Sequence, residues 1–389
     1  MKPDIMTQCN ICATPLGDPI FSSESDMALT SLCELQAGKV QVWSCQNCSH
    51  LLGNALQNTE QYYQSDYRIL LAHDDEDQIY EMHNEQIVYR TDHQVSTLIE
   101  KLELPQNAML LDYGCAKAST PKKLLSRRND LQVHLFDVSD MYRSYWDQFV
   151  PNDRQTTHQT PAHWQKKFDI ITSFFALEHI PDPQGTLKHI AELLNDDGVF
   201  YGIVPDTFGN VADFIVIDHV NHFTIPSLHE LLTRHGFGKI DIDAVTHRGA
   251  LVFTARKEGP SSERTNVGSA ITQSIALAKY WTEIGSRIKA SEPGKEPGPS
   301  AIYGSGFYGA YIFSTLKQPE RVECFLDRSP YQQGKALFGK AILAPENLPA
   351  GTKTLFVGLN PAIARDVMAS MSWPNCPDLK LVFLDGVTS

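Results

Sequence analysis

Three apolar runs, each ending in a polar or acidic loop, dominate the middle of the chain. Leu110-Leu111-Asp112-Tyr113-Gly114-Cys115 is the first, Val133-His134-Leu135-Phe136 before Asp137 the second, and Phe168 to Phe175 before the stretch Leu177-Glu178-His179-Ile180-Pro181-Asp182 the third. Apolar runs of this length without strict alternation read as parallel strands covered on both faces. The period then becomes helical at Leu187, Ile190, Ala191 and Leu194, and Asn195-Asp196-Asp197-Gly198 reads as a turn before a strand over Val199–Val204. Pro226 to Gly236 predicts another helix, with Leu228, Leu231 and Leu232 on one face and Gly236 as its stop. Ile240–Val245 and Leu251–Ala255 alternate and predict a closing hairpin, while a helix is expected from Ile79 to about Leu102.

Beyond Lys257 the polar, turn-rich stretch Glu258–Gly268 reads as a linker, followed by a helix over Ser269–Ala290 and a stiffer break at Glu292-Pro293-Gly294-Lys295-Glu296-Pro297-Gly298-Pro299. A second α/β unit then begins. Ala301-Ile302-Tyr303 runs into Gly304-Ser305-Gly306-Phe307-Tyr308-Gly309, an apolar helix, and Val322-Glu323-Cys324-Phe325-Leu326-Asp327. Strand, glycine turn, helix, strand and terminal acid is the order of a dinucleotide-binding turn, and equally of a tight strand-to-helix connection without a ligand.

Charge and cysteine spacing narrow the partners. The chain has 389 residues and a formal charge of -13, which disfavours general phosphate-backbone contact; the stretch between the two cysteine pairs carries Asp18, Glu24, Asp26 and Glu34 against Lys39. No nucleic-acid partner is expected. Neither a run of about 18 apolar residues nor a cationic leader with an apolar core is found, so no membrane partner and a cytoplasmic location are expected. Cys9-Asn10-Ile11-Cys12 and Cys45-Gln46-Asn47-Cys48 form two knuckles of the kind that together hold a structural Zn2+ tetrahedrally. Cys33, Cys115, Cys324 and Cys376 are scattered and read as idle or buried thiols.

The order of Asp112-Tyr113-Gly114, Asp137 and the Leu177–Asp182 loop resembles the class I methyltransferases. The fold this implies is α/β: a doubly wound class I methyltransferase sheet flanked by an N-terminal zinc-binding module and a C-terminal Rossmann-like α/β domain. The expected division is a zinc module over 1–60, a methyltransferase domain with an N-terminal lid over 61–257, a linker and helix over 258–300, and the C-terminal domain over 301–389. The resemblance implies S-adenosylmethionine (SAM) as cofactor, lined by Tyr67 of the lid, Asp112, Gly114, Cys115, Ala118, Asp137, Val138, Ser173 and Phe174. Asp137 ends the second strand, where an acid can accept hydrogen bonds from both ribose hydroxyls. Ala116 and Ala118 stand where the family carries further glycines, and a methyl group there predicts weaker binding or an altered loop path.

Asp218-His219-Val220-Asn221-His222-Phe223-Thr224, His247-Arg248-Gly249-Ala250 and the C-terminal Asp327-Arg328-Ser329-Pro330 are similar to segments of the sugar C-methyltransferases. That resemblance implies a small acceptor, a nucleotide-linked sugar, methylated at a carbon beside a ketone; an O- or N-methyltransferase on another metabolite, or a non-catalytic or NAD-binding protein using the C-terminal glycine loop, are the alternatives. Such a carbon is nucleophilic only after deprotonation, and histidine suits that task near neutral pH. His219 is the expected base, Asp218 its orienting acid, His179 a group that stabilises the enolate oxygen or positions the sugar, and His222 a further candidate.

Overall fold

The computed structural model describes residues 8–56, 77–83, 86–258, 265–292 and 298–385. They fall into two compact units, one made of the described residues within 1–20, 41–213 and 218–274, the other of those within 21–40, 214–217 and 275–389.

In the first unit the apolar runs become β1 (Met109–Tyr113), β2 (Gln132–Asp137), β4 (Phe168–Phe174) and β5 (Leu194–Pro205), the alternating runs become β6 (Lys239–Asp243) and β7 (Ala250–Arg256), and the polar segment Gln155–Thr157 adds a strand, β3, that the apolar pattern does not predict. They form one seven-stranded sheet in the order β3-β2-β1-β4-β5-β7-β6. β1 to β5 are parallel, and β7 runs antiparallel to both β5 and β6. The order reverses between β1 and β4, so the connections leaving these neighbours diverge and open a crevice at their carboxyl ends.

Side chains alternate across the sheet, and so does their packing. Leu111, Ile171, Phe200 and Phe253 face α3 (Pro183–Leu193) and α4 (Ile225–Arg234), meeting Leu187, Ile190, Leu228 and Leu231. Leu110, Leu135, Ile170 and Ile203 face the other way, towards Val95 and Leu98 of α1 (Arg90–Lys101) and Leu124 of α2 (Ser119–Arg127). Each such fully buried side chain contributes about 1.5–3 kcal/mol of transfer free energy. The helix starts are set locally. Asp182 Oδ1 accepts the Gly185 N–H at 2.9 Å ahead of Pro183, and Thr224 and Ser227 cap each other reciprocally at the head of α4.

Two expectations are corrected. Residues from Ile79 do not begin a helix: Ile79–His83 and Gln86–Tyr89 pair as an antiparallel hairpin, and the helix starts at Arg90. The β-branched and aromatic residues Ile79, Tyr80, Ile87, Val88 and Tyr89 favour the pleated arrangement. The Asn195–Gly198 segment is a bulge inside β5 rather than a turn ahead of it: pairing with β4 jumps from Phe168↔Leu194 to Ile170↔Val199. Asn195 Oδ1 accepts the Asp197 N–H at 3.1 Å, so the Asx geometry that suggests a turn is present within the strand.

The second unit contains β8 (Ser300–Tyr303), β9 (Val322–Leu326), β10 (Ala336–Leu337), β11 (Lys340–Leu343), β12 (Thr354–Val357) and β13 (Lys380–Phe383), ordered β10-β11-β9-β8-β12-β13 and parallel except at the β10–β11 edge. The glycine turn connects β8 to a helix over Phe307–Thr315. A Cβ on Gly309 would lie 1.9 Å from the Gly304 carbonyl oxygen, so this glycine is required by close strand-to-helix packing. Asp327 holds the same turn closed, its Oδ2 accepting the Ser305 N–H at 3.0 Å and the Ser305 hydroxyl at 2.6 Å. Among the described residues no helix is long and apolar enough to cross a membrane.

One contact in the first sheet gives a direct stability test. A Cβ on Gly202 would meet the fully buried Phe253 ring at 2.4 Å and the Ser173 carbonyl oxygen at 3.2 Å. Gly202→Ala is expected to lower unfolding free energy by about 1–3 kcal/mol through overpacking, read from the shift of the urea midpoint at unchanged m-value.

Candidate active site

The crevice between β1 and β4 collects the groups expected to bind a nucleoside. Asp112 at the end of β1 is buried and accepts the Thr172 hydroxyl at 2.6 Å; burial pushes its pKa up to about 7, against that hydrogen bond. Gly114 follows with φ +75, and a Cβ there would lie 2.8 Å from the Ala176 methyl group. Ala116 (φ 43) and Ala118 (φ 56) both adopt the left-handed backbone that glycine takes without strain. Both alanines hold that backbone, at a conformational cost of about 1–3 kcal/mol per residue.

Asp137 secures that loop. Its Oδ2 accepts the Ala116 N–H at 2.8 Å and its Oδ1 the Ser139 N–H at 3.0 Å, while Trp146 Nε1 donates to the Ala116 carbonyl at 2.6 Å. A carboxylate has about four acceptor sites, so these two bonds leave acceptor capacity on each oxygen. Burial raises its pKa. Ser173 on β4 is buried, and among the described residues its hydroxyl has no hydrogen-bond partner. Phe174 leans on Tyr201 at 5.8 Å, Cys115 is buried, and Val138 is 52% exposed beyond β2. Tyr67 and the rest of the expected lid lie outside the described residues.

Next to this crevice lies a buried histidine–carboxylate cluster whose central acid the local sequence pattern does not reveal. Asp213, 1% exposed, accepts from His219 Nδ1 at 2.6 Å, His222 Nδ1 at 3.0 Å and the Thr207 hydroxyl at 2.8 Å. Asp218, the expected orienting acid, faces His179 instead: its carboxylate lies 3.8 Å from His179 Nδ1 and its carbonyl oxygen accepts from that nitrogen at 3.0 Å. The correction has a geometric cause, since adjacent side chains diverge, whereas the turn over Val211–Ile215 points Asp213 at the rings. His222 is buried, and its Nε2 would lie 3.2 Å from a Cβ on Gly53. The structure thus places it as the second partner of Asp213.

These contacts split the two nearest imidazoles. His179 and His219 rings meet edge to face at 4.7 Å, and ligand-type atoms of Glu178, His179 and His219 lie within 4.8 Å of one another. For His219, burial favours the neutral ring, but Asp213, with help from Asp218 and Glu178, outweighs it and raises the pKa to about 9. For His179, burial and the neighbouring His219 charge lower it to about 4. Because a carbonyl oxygen only accepts, His179 carries its proton on Nδ1 and a lone pair on Nε2. Burial raises Glu178 to about 7, and among the described residues its Oε2 has no hydrogen-bond partner. Asp213 is held well below the usual carboxylate range: burial opposes its ionisation, and His222 and His219 overcome that penalty.

The turn His247-Arg248 closes a neighbouring aromatic wall. Tyr80 stacks on His93 at 3.8 Å, His247 sits edge-on to both, and Arg248 donates its backbone N–H to the Tyr80 hydroxyl at 2.7 Å. The four knuckle cysteines also converge. Their sulfurs lie within 4.8 Å of one another, with Cys9–Cys48 at 3.7 Å and Cys12–Cys45 at 3.4 Å, none of them in a disulfide. Tetrahedral zinc with bonds of about 2.3 Å places its sulfurs about 3.8 Å apart, so the donor set fits a four-thiolate ion.

Residues 84–241 match the family model described as a methyltransferase domain. The chain is 31% identical over 103 residues to C-methyltransferase NovU of Streptomyces niveus, covering 25% of this chain and 24% of that protein. A second relative, 235L of Invertebrate iridescent virus 6, is 25% identical over 104 residues, 26% of this chain and 39% of its own length. The chain thus spans well under half the length of these curated relatives. Among solved structures, the 1,6-didemethyltoxoflavin-N1-methyltransferase of Burkholderia thailandensis is 22% identical, covering 44% of this chain and 79% of that one at a TM-score of 0.34. The citrinin polyketide synthase CMeT domain is 16% identical, with coverages of 43% and 51% at the same TM-score of 0.34.

The first loop offers a paired test. Gly114→Ala is expected to cost about 1–3 kcal/mol, because it combines a positive φ with the Ala176 contact. Ala118→Gly is expected to stay within about 1 kcal/mol of the parent, since relief of strain is offset by the lost methyl burial and greater freedom of the unfolded chain. Parallel denaturant titrations of the two variants check both.

Proposed function

We propose that this protein is a SAM-dependent methyltransferase acting on a small acceptor, a nucleotide-linked sugar methylated at the carbon beside a ketone. The observation that carries the reading is the buried Asp213–His219 pair with His179 against it, next to the crevice that ends in Asp112, Asp137 and Ser173. The match of residues 84–241 to a methyltransferase domain and the likeness to a protein named a C-methyltransferase support it.

The crevice fits the cofactor. Asp137 retains acceptor capacity for a ribose, Ser173 offers an unsatisfied hydroxyl, and the Gly114–Ala118 loop keeps the glycine-type path. When bound, SAM supplies an electrophilic methyl group. Zn2+ in the four-cysteine site is structural in this reading, since four protein ligands leave no open position.

His219 is the base. Asp213 fixes Nδ1–H and thereby directs Nε2, once deprotonated, to the acceptor carbon; its charge also stabilises the imidazolium formed on proton abstraction. His179, neutral with a lone pair on Nε2, is an acceptor rather than a donor. Its role is therefore to hold a sugar hydroxyl, and the alternative of donating to an enolate oxygen does not suit this tautomer. The nicotinamide reading of the C-terminal turn is less well supported, because Asp327, the acid that would meet a ribose, is engaged by Ser305.

Titration calorimetry with S-adenosylhomocysteine is the first test: one saturable site, lost in Asp137→Ala, is expected, and absence of binding would reject the methyltransferase reading. With a turning-over keto-sugar nucleotide, kcat/KM is expected to rise about tenfold per pH unit from neutrality and level near the His219 pKa of about 9. The sign follows from the base needing the deprotonated ring; a profile that falls above that pH would assign His219 as an acid. Asp213→Asn is expected to reduce kcat by about 10²–10⁴-fold and to move the rising limb to lower pH, because it removes the group that raises the His219 pKa.

A further inference from the structure

Asn221 has no exposed surface and uses its whole side-chain hydrogen-bonding capacity. Its Oδ1 accepts from Asn10 Nδ2 at 2.7 Å and His50 Nε2 at 3.3 Å; its Nδ2 donates to the carbonyl oxygens of Leu177 at 2.8 Å and Ile180 at 2.7 Å. Asn10 lies between the ligands of the first knuckle, and His50 lies two residues past the second. Leu177 and Ile180 bracket Glu178 and His179, and Asn221 itself lies two residues after His219. One amide thus ties the cysteine site to both histidine-bearing segments.

A second set of contacts points the same way. The strand leaving the second knuckle pairs with the histidine segment, Leu52 with Asn221 and Leu51 with His222, and Gly53 N–H donates to the Val220 carbonyl at 2.9 Å. A Cβ on Gly53 would lie 2.8 Å from the His219 carbonyl oxygen, so backbone meets backbone there. On the other side, Gln184 Nε2 donates to the Asn10 carbonyl at 3.1 Å, which bonds the first knuckle to the helix following the His179 loop. Buried, saturated networks of this kind fix one arrangement, and losing one member leaves several carbonyls and donors unsatisfied.

We propose that Asn221 is a positioning residue through which metal loading of the Cys9, Cys12, Cys45 and Cys48 site sets the geometry of His179 and His219. In an ordinary zinc staple, the ion would hold the module together and leave the distant chemistry alone. Here loss of the ion frees Asn10 and His50, releases Asn221, and loosens the Leu177–Ile180 loop. The proposal rests on the zinc and acid–base readings above, but its test requires neither acceptor nor SAM. Its failure is therefore separable from failure of S-adenosylhomocysteine binding.

The experiment compares the full chain, zinc-loaded and chelator-stripped under reducing conditions, with zinc-loaded Asn10→Ala and Asn221→Asp. Hydrogen exchange reports backbone opening over residues 177–182, histidine-selective nitrogen NMR reports the rings of His179 and His219, and elemental analysis reports zinc. Stripping is expected to speed exchange at the His179 and Ile180 amides by about tenfold or more and to move both ring signals. Asn10→Ala, at full zinc content, is expected to reproduce part of both changes, and Asn221→Asp, which loses the donors to Leu177 and Ile180, more of them. Exchange over 177–182 within about twofold of the loaded protein, while residues 9–12 and 45–50 open, overturns the proposal. So does a fully zinc-loaded Asn10→Ala whose histidine signals stay in place, and that variant decides alone if stripping unfolds the whole chain.

Discussion

The buried carboxylate of Asp213 is the constraint on which the candidate site depends. A carboxylate taken out of water loses several kcal/mol of solvation and persists only where donors replace that water. Here three do so: two imidazoles and a threonine hydroxyl. The arrangement acts in both directions. The imidazoles keep Asp213 ionised, and Asp213 keeps His219 charged despite its burial. That charge in turn disfavours a second one on His179, whose ring lies edge-on at 4.7 Å. Asp213 thus raises the proton affinity of His219, while burial and the charge on His219 lower that of His179, and the two rings differ in protonation, the condition under which neighbouring groups take different acid–base roles.

Acids at strand ends recur with a shared structural function. Asp137 holds the loop after β1 through Ala116, and Asp327 holds the glycine turn of the second unit through Ser305. In both cases the carboxylate that a sequence pattern assigns to a ribose also closes the loop against which a nucleotide would lie. The two sites differ in what remains. Asp137 spends one backbone bond on each oxygen, whereas Asp327 Oδ2 takes both the Ser305 N–H and its hydroxyl. The second unit's turn is the more self-contained of the two.

The fold was legible in the sequence where the information is local. Apolar runs such as Leu110–Tyr113 and Val133–Phe136 gave parallel strands, Pro226 marks a helix start, and the paired CxxC motifs bring four sulfurs together. The hairpin before Arg90 departs from the expected helix because spacing alone does not separate a short β-branched run from a helix. Asp213 and Asn221 were not legible as site residues for another reason. Asp213 reaches His219 and His222 by a turn of the chain, and Asn221 gains its meaning from Asn10 and Leu177, 211 and 44 positions away. Neither an acid six positions before a histidine nor an asparagine between two of them is a pattern with a physical signature.

Asp213 and Asn221 divide the control of the site. Asp213 sets charge and tautomer at His219, while Asn221 sets where the loop bearing His179 lies. They sit on opposite sides of His219 in a single stretch of chain, so a change at either is felt by the same ring. Losses from removing both should therefore fall short of the sum of the single losses, because a displaced ring has no geometry left for an altered proton affinity to serve. A site built from two independent supports would show additive losses instead. The edge-to-face contact of His179 and His219 makes coupling the expected behaviour, since it joins the ring that Asp213 charges to the loop that Asn221 holds.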